Sequence, residues 1–471
     1  MPPKLAFFLG IVFVGFMYRV VERRRAADVS PALLWPLLWY IIASSRSIGL
    51  WLIVLGVPLP SGGGETEGSV VDRTEYFILC LIGIYILSKR NIEWSSIFRE
   101  NRWLVVLFTF MLLSVAWSDY PWVSFKRLVK SFSAVVMVLV VLTETDPSTA
   151  ISTIMRRGAY LVIPLSIIVI KYFRDVGVEF DSSGTSMAWR GLSTSKNALG
   201  QVAMASALCF VWSIVQNWRK KRPWASLDYL YLAMSLYLLK GSDQSVSMTA
   251  LSVFALGLAI FLSSSHLRNT PGMAFRVLTV SCVSILGVLA LLVVHTVSPF
   301  REDSVLGVVF RALGRDTTLS GRTEIWADVL QVASRNPLFG VGYGAFWIGR
   351  TVNIPWNEQM SWVLGEGHNG YLDVYLQIGL IGLLMLLALV FSARRRLIQS
   401  LAADFEYGRF RLTFLVVILF VNLTESTFLR GEHLLWFLFL LSVVTVPYMR
   451  ARNAEVASID TAATAAPEEG T

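Results

Sequence analysis

Apolar runs recur along this chain from one end to the other. They fall near residues 5–21, 31–58, 75–88, 103–117, 131–143, 158–172, 198–216, 226–239, 248–263, 276–296, 371–391, 412–424 and 434–449. A run of roughly 20 apolar residues is the length that crosses a bilayer as a helix. The run at 31–58 is long for one helix and is expected to break near Arg46. Hydrophobic residues make up 55% of the chain and charged residues 15%, with mean hydropathy +0.60. Soluble domains carry about 25% charged residues, and a chain this apolar cannot hide its surface in one water-soluble core. The fold class expected is an all-α polytopic membrane protein of about 12 to 14 spans.

The net charge of +9 gathers in short clusters at helix ends, at Glu22–Arg25, Lys220–Arg222 and Arg394–Arg396. That is the pattern of positive residues held on the cytoplasmic side, not of a nucleic-acid footprint, and no RNA- or DNA-binding motif is visible. Cys80, Cys209 and Cys282 each sit in an apolar run and read as small hydrophobes rather than a disulfide or zinc framework. The first run is followed by Glu-Arg-Arg-Arg and not by a small-residue cleavage site, so it reads as a retained helix.

Counting from the basic loops places residues 173–197, 240–247 and 297–370 on the far side of the membrane. Lys126, Arg127 and Lys130 fall on that side too, against the rule; a separate interfacial helix is one explanation and a miscount the other. The layout expected is an N-terminal helical part (1–185), a core carrying the three far-side loops (186–391), further helices (392–449) and a disordered cytoplasmic tail (450–471). The loop 297–370 is by far the longest hydrophilic stretch. Within it, residues 321–335 place Ile325, Trp326, Val329, Leu330 and Ala333 on one helical face, for burial against membrane or protein. Asn336-Pro337 should end that helix, and glycines 340, 342 and 344 should turn the chain.

Four polar groups stand out on the far side. Glu366-Gly367-His368-Asn369 precedes an apolar run, and histidine suits a general base because its ordinary pKa lies near physiological pH. The plainer reading of His368 is an interfacial residue capping a helix. Arg322 opens the 321–335 helix, where a guanidinium can clamp phosphate oxygens or snorkel to headgroups. Arg190 and Lys196 flank Gly-Leu-Ser-Thr-Ser before a helix start, a place for an anion or for simple Ser/Thr capping. Lys240-Gly241-Ser242-Asp243-Gln244-Ser245 reads equally as a functional loop or a bare turn. Trp347, Trp356 and Trp362 can offer flat faces to sugar rings or be buried at the interface.

The stretch HNGYLDVYLQIGLIG, with GRTEIW…NPLFGVGYGAF and RGLSTSKNALG upstream, resembles the signature of the O-antigen ligase and polysaccharide polymerase (Wzy-type) family over roughly residues 186–385. Within it, the layout and Trp-Ser-Asp-Tyr-Pro-Trp at 117–122 look most like polymerases of rhizobial-type exopolysaccharides. The resemblance implies a membrane glycosyltransferase of the class that uses polyprenyl-diphosphate donors, with no cofactor or metal. It would sit in a bacterial inner membrane with its site on the periplasmic side. It implies His368 as the catalytic residue and Arg322 and Arg190 as diphosphate-binding residues, with Glu366 and Asn369 beside the histidine. The family's turn at 240–247 often carries Ser-Arg where Ser-Asp-Gln-Ser stands here, so Lys196 or Lys240 would have to supply the missing cation. The partners implied are an undecaprenyl-diphosphate-linked oligosaccharide and membrane lipid, with a flippase and a chain-length regulator in the same pathway.

The sequence has no HExxH, Walker loop or Gly-x-Ser-x-Gly elbow. A ligase passing glycan to a lipid A core or protein would use the same residues with a different acceptor. A lipid-linked sugar flippase is the rival of another class; it predicts ionisable residues inside spans, where only Arg46 stands out here. A scaffold would tolerate loss of His368 or Arg322.

Overall fold

The computed structural model describes residues 1–22, 29–57, 69–180, 187–220, 225–242, 247–269, 272, 276–285, 287–288, 322–348 and 365–447. Within the described residues the apolar runs are helices, as expected. In chain order these include α1 (Pro3–Phe16), α2 (Leu34–Ser44), α3 (Ile48–Val54), α4 (Val70–Ser88), α5 (Trp94–Glu100), α6 (Arg102–Leu113), α7 (Pro121–Leu142) and α8 (Pro147–Tyr172). After a short turn come α9 (Arg174–Gly177) and the strands β1 (Val178–Phe180) and β2 (Met187–Trp189), then α10 (Lys196–Lys220), α11 (Ala225–Lys240), α12 (Met248–Asn269) and α13 (Arg276–Ile285). The small antiparallel hairpin, with Val178 opposite Trp189, is the one departure from an all-helical chain among the described residues.

Among the described residues, four helical stretches are long and apolar enough to cross a membrane, or up to six if the bent pairs α2–α3 (56°) and α5–α6 (84°) each count as one span. The first bend lies between Ser44 and Ile48, at the expected Arg46 break. The expected 12 to 14 counted every apolar run as a span. α4, by contrast, carries Asp72, Arg73 and Glu75 near its start, α7 carries Lys126, Arg127 and Lys130 in its second and third turns, and runs such as Leu434–Val443 are short. Exposed Phe8, Ile53, Leu113 and Phe391 give the bundle an apolar outer surface suited to lipid.

The spans are less free of charge than the run-by-run reading suggests. α8 begins eleven residues before the apolar run at 158, and its early Arg156 pairs with buried Glu22 at 2.9 Å, with Arg157 3.1 Å from the same carboxylate. Buried Arg411 donates to the carbonyls of Ser442 and Val443. Each of these charges has an internal partner, as buried charges must.

Lys126, Arg127 and Lys130 belong to the first turns of α7, a single 22-residue helix, and not to a separate interfacial one. Arg127 donates to the Gly344 carbonyl at 2.5 Å, and Lys130 lies 3.4 Å from Glu432. Local carbonyls and carboxylates therefore meet this positive charge, which explains how it can sit at the same end of the bundle as His368.

The segment after α14 (Arg322–Ala333) is built into α15 (Gly370–Ala403). α15 breaks at Ile378–Gly379, where Gly379 takes φ 67° and ψ −170°. Into that break the chain lays residues 337–344 backbone to backbone. Leu380 and Ile381 donate to the carbonyls of Pro337 and Leu338, while Val341 and Gly342 donate to those of Leu376 and Gln377. A Cβ on Gly379 would meet the Leu338 carbonyl oxygen at 2.2 Å, and one on Gly340 would meet Gln377 backbone at 2.5 Å. Gly379→Ala is therefore expected to cost at least about 1–3 kcal/mol in backbone strain alone. A clear fall in the thermal unfolding midpoint of the full chain would show it. A Cβ on Gly382 would crowd Ile378 as far back as its Cβ at 2.8 Å, but the Gly382 backbone is not in the left-handed region, so Gly382→Ala should fall less.

α14 settles where its apolar face lies. Ile325, Trp326, Val329 and Ala333 are buried against Phe346 and Leu376, with Leu330 half-buried, so the helix packs on the protein. The bundle closes with α16 (Phe405–Val421) and α17 (Leu434–Val443). Beyond its break at Gly379, α15 continues through residue 391 to Ala403.

Candidate functional site

The residues on either side of His368 are tied to the helices around them. The Gly367 amide donates to Asp373 Oδ1 at 3.0 Å, and its carbonyl accepts from Trp326 Nε1 at 2.7 Å. The Asn369 side chain caps α15, accepting from the amides of Tyr371 and Leu372. The Gly370 amide donates to the carbonyls of Asn422 and Glu425, which joins this loop to residues 422–433 between α16 and α17. Among the described residues only His368 (φ 49°) and Leu429 (φ 60°) hold a non-glycine backbone in the left-handed region. Strain of this kind persists where surrounding contacts over-determine the chain, commonly at functional sites. One of the two is the histidine, and the other precedes Arg430.

His368 Nδ1 faces two carboxylates, Glu366 Oε1 at 3.1 Å and Glu425 Oε2 at 4.0 Å. Each carboxylate has its own guanidinium: Arg430 pairs with Glu366, and Arg322 Nη2 lies 3.1 Å from Glu425 Oε1. Asn197, in the first turn of α10, donates to that same Glu425 oxygen at 2.9 Å. Burial alone would raise the Glu366 carboxyl, but Arg430, with His368 and His433, holds it down at about 2. Burial raises the Glu425 carboxyl in spite of Arg322 and His368. Burial, with Arg430 beside it, holds His433 down at about 4, so it is neutral, and its Nδ1 caps α17.

Glu366, His368 and Glu425 could between them offer three donor atoms within 4.8 Å to a metal ion. Both carboxylates are already matched by arginines, and a divalent ion would have to compete with two guanidiniums for them.

Of the residues singled out from sequence, the structure brings together His368, Arg322, Glu366 and Asn369. Arg190 is placed otherwise: its guanidinium donates to the backbone carbonyls of Val176 (3.1 Å) and Asp175 (3.0 Å), bracing the hairpin. Arg46 donates to the same Val176 carbonyl at 2.7 Å. Lys196 and Lys240 are exposed at the near ends of α10 and α11. The 240–247 turn does reach the 173–197 loop, since Ser242 Oγ donates to the Met187 carbonyl at 2.8 Å. Trp347 forms part of the site wall and donates to Asp373 at 3.1 Å. Trp356, Trp362, residues 297–321, residues 243–246 and the 450–471 tail lie outside the described residues.

Sequence reasoning missed Glu425, Arg430 and the role of Asn197. A signal existed for the first two: Asn422–His433 packs three charged residues and a histidine between two apolar runs.

Arg430→Gln tests the brace. It leaves Glu366 without its counter-charge, at a cost of about 1–3 kcal/mol for a half-exposed pair. Because the Glu366 carboxyl is depressed, that contribution is present in full above the ordinary carboxylate range and lost as pH falls toward 2. The unfolding midpoints of wild type and variant should thus differ at neutral pH and converge in acid.

Residues 230–387, which include Arg322, Glu366, His368 and the Gly379 break, match the sequence profile of the O-antigen ligase family. The exopolysaccharide production protein ExoQ of Rhizobium meliloti (strain 1021) is 27% identical over 299 residues, 62% of this chain. The chain spans 64% of that relative's length. No solved structure matches. Over residues 230–387 this polytopic membrane protein is thus similar to the O-antigen ligase family.

Proposed function

We propose that the protein lengthens exopolysaccharide by moving a glycan from one polyprenyl diphosphate to the non-reducing end of another, on the periplasmic side of the bacterial inner membrane. The observation that carries this reading is His368 Nδ1 facing Glu366 and Glu425, with Arg322 on the second carboxylate. Nδ1 makes no hydrogen bond among the described residues, but the negative charge of the two nearby carboxylates favours the proton on that nitrogen, which leaves Nε2 to take a proton from the acceptor hydroxyl. The acceptor oxygen then forms a bond to the donor's anomeric carbon. The bond from that carbon to the diphosphate oxygen breaks, and polyprenyl diphosphate leaves with the electron pair. Arg322 stabilises the charge that develops there, so the step needs no metal. Entry of the hydroxyl opposite the leaving group inverts the anomeric centre. The family match and the likeness to an exopolysaccharide production protein support this substrate class.

Transfer to a lipid A core or protein is the second reading, favoured by the O-antigen ligase match. The test is to delete the gene, restore it, and size the surface and secreted glycans. Single repeat units left on lipid in the deletion strain support the polymerase. Polymer that forms on its lipid carrier but never reaches an acceptor supports the ligase. Units trapped on the cytoplasmic face support a flippase and overturn both enzyme readings.

A further inference from the structure

Glu425 belongs to a loop outside the matched family residues, yet three separate elements converge on it. Asn197 of α10 and Arg322 of α14 both reach Oε1, at 2.9 and 3.1 Å, while His368 Nδ1 lies 4.0 Å from Oε2. The carboxylate is buried, with the residue 4% exposed. The guanidinium that would meet a diphosphate is thus paired with an internal anion. That same anion stands within reach of the histidine but is not its nearest partner, since Glu366 is closer.

We propose that Glu425 is a positioning residue that ties donor binding to the readiness of His368. It competes with the donor's diphosphate for Arg322. When a lipid-borne diphosphate takes the guanidinium, the Glu425 carboxylate is released and pairs with His368 Nδ1, and the second carboxylate then stabilises the imidazolium formed in transfer. Without donor, Glu425 stays on Arg322 and the histidine has only Glu366. A buried carboxylate stripped of its cation is costly, so its shift to His368, its other cationic partner among the described residues, is favoured once His368 gains a proton. The inference rests on the donor-site reading of Arg322 given above.

Opposite effects on binding and turnover test it. Glu425→Gln keeps the shape and an oxygen for Asn197 but removes the competing charge. With the purified full-length protein and farnesyl diphosphate as probe, Glu425→Gln should bind about tenfold tighter than wild type, equal to about 1.4 kcal/mol. It should nevertheless fail to restore polymer in the deletion strain. Asn197→Ala keeps the charge and removes its tether; it should tighten binding in the same direction by about threefold, and it serves if Glu425→Gln does not fold. Unchanged or weaker binding in the variant that folds, with Arg322→Ala still losing the probe, overturns the coupling and leaves the site reading standing. If Arg322→Ala binds the probe as wild type does, the donor-site reading itself fails.

Discussion

Replacing His368 by alanine is expected to lower glycan transfer by about 10²–10⁴-fold, the contribution of a positioned general base, with the protein still inserted in the membrane. The capping role that competes with catalysis for this residue belongs to its neighbour: Asn369, not His368, accepts the first amides of α15. His368 is half-buried and packs its ring against two carboxylates, in a backbone conformation that alanine tolerates no better. Loss of the imidazole therefore removes the proton acceptor without removing a cap or a core side chain. Initial rates in membranes containing equal amounts of each protein provide the check, and full activity in the variant would return His368 to a structural role.

Arg322→Ala is expected to lower transfer by about 10²–10³-fold, the scale of removing one preorganised donor to a developing negative charge. It also leaves Glu425 buried with Asn197 as its hydrogen-bond donor and no guanidinium. Arg322→Lys separates the two consequences. Lysine keeps the charge near Glu425 but loses the forked geometry that meets two phosphate oxygens at once. Folding should return to wild type while the rate stays depressed, which rates and unfolding midpoints for the two variants would show.

The helices were legible because apolar period and length decide them. The break at Arg46 was legible because 28 apolar residues exceed one span. Gly379 was visible as part of a motif, but its reason was not: the left-handed turn and the docking of residues 337–344 into α15 depend on a backbone contact between segments some 40 positions apart. The same holds for the site. His368, Glu366 and Asn369 are adjacent in sequence, and Arg322 opens a recognisable amphipathic helix. Glu425 and Arg430 lie beyond the resemblance, in a polar loop that local patterning reads as a simple connection. Arg190 and Lys196 stand out for charge before a helix start and Arg190 for the resemblance, while Lys240 stands in for a cation that the family's turn carries; neither charge nor resemblance says whether a guanidinium also meets backbone carbonyls, as that of Arg190 does.

The central claim is that this site transfers a glycan and releases polyprenyl diphosphate. The most direct measurement gives the purified full-length protein, in liposomes containing EDTA, a lipid-linked repeat unit from the cell that makes it. Free polyprenyl diphosphate and the length of the lipid-linked glycan are followed together. The account predicts that both rise in step for wild type, and that neither rises for His368→Ala. Release without lengthening, lengthening that continues in His368→Ala, or a reaction that EDTA abolishes would contradict it.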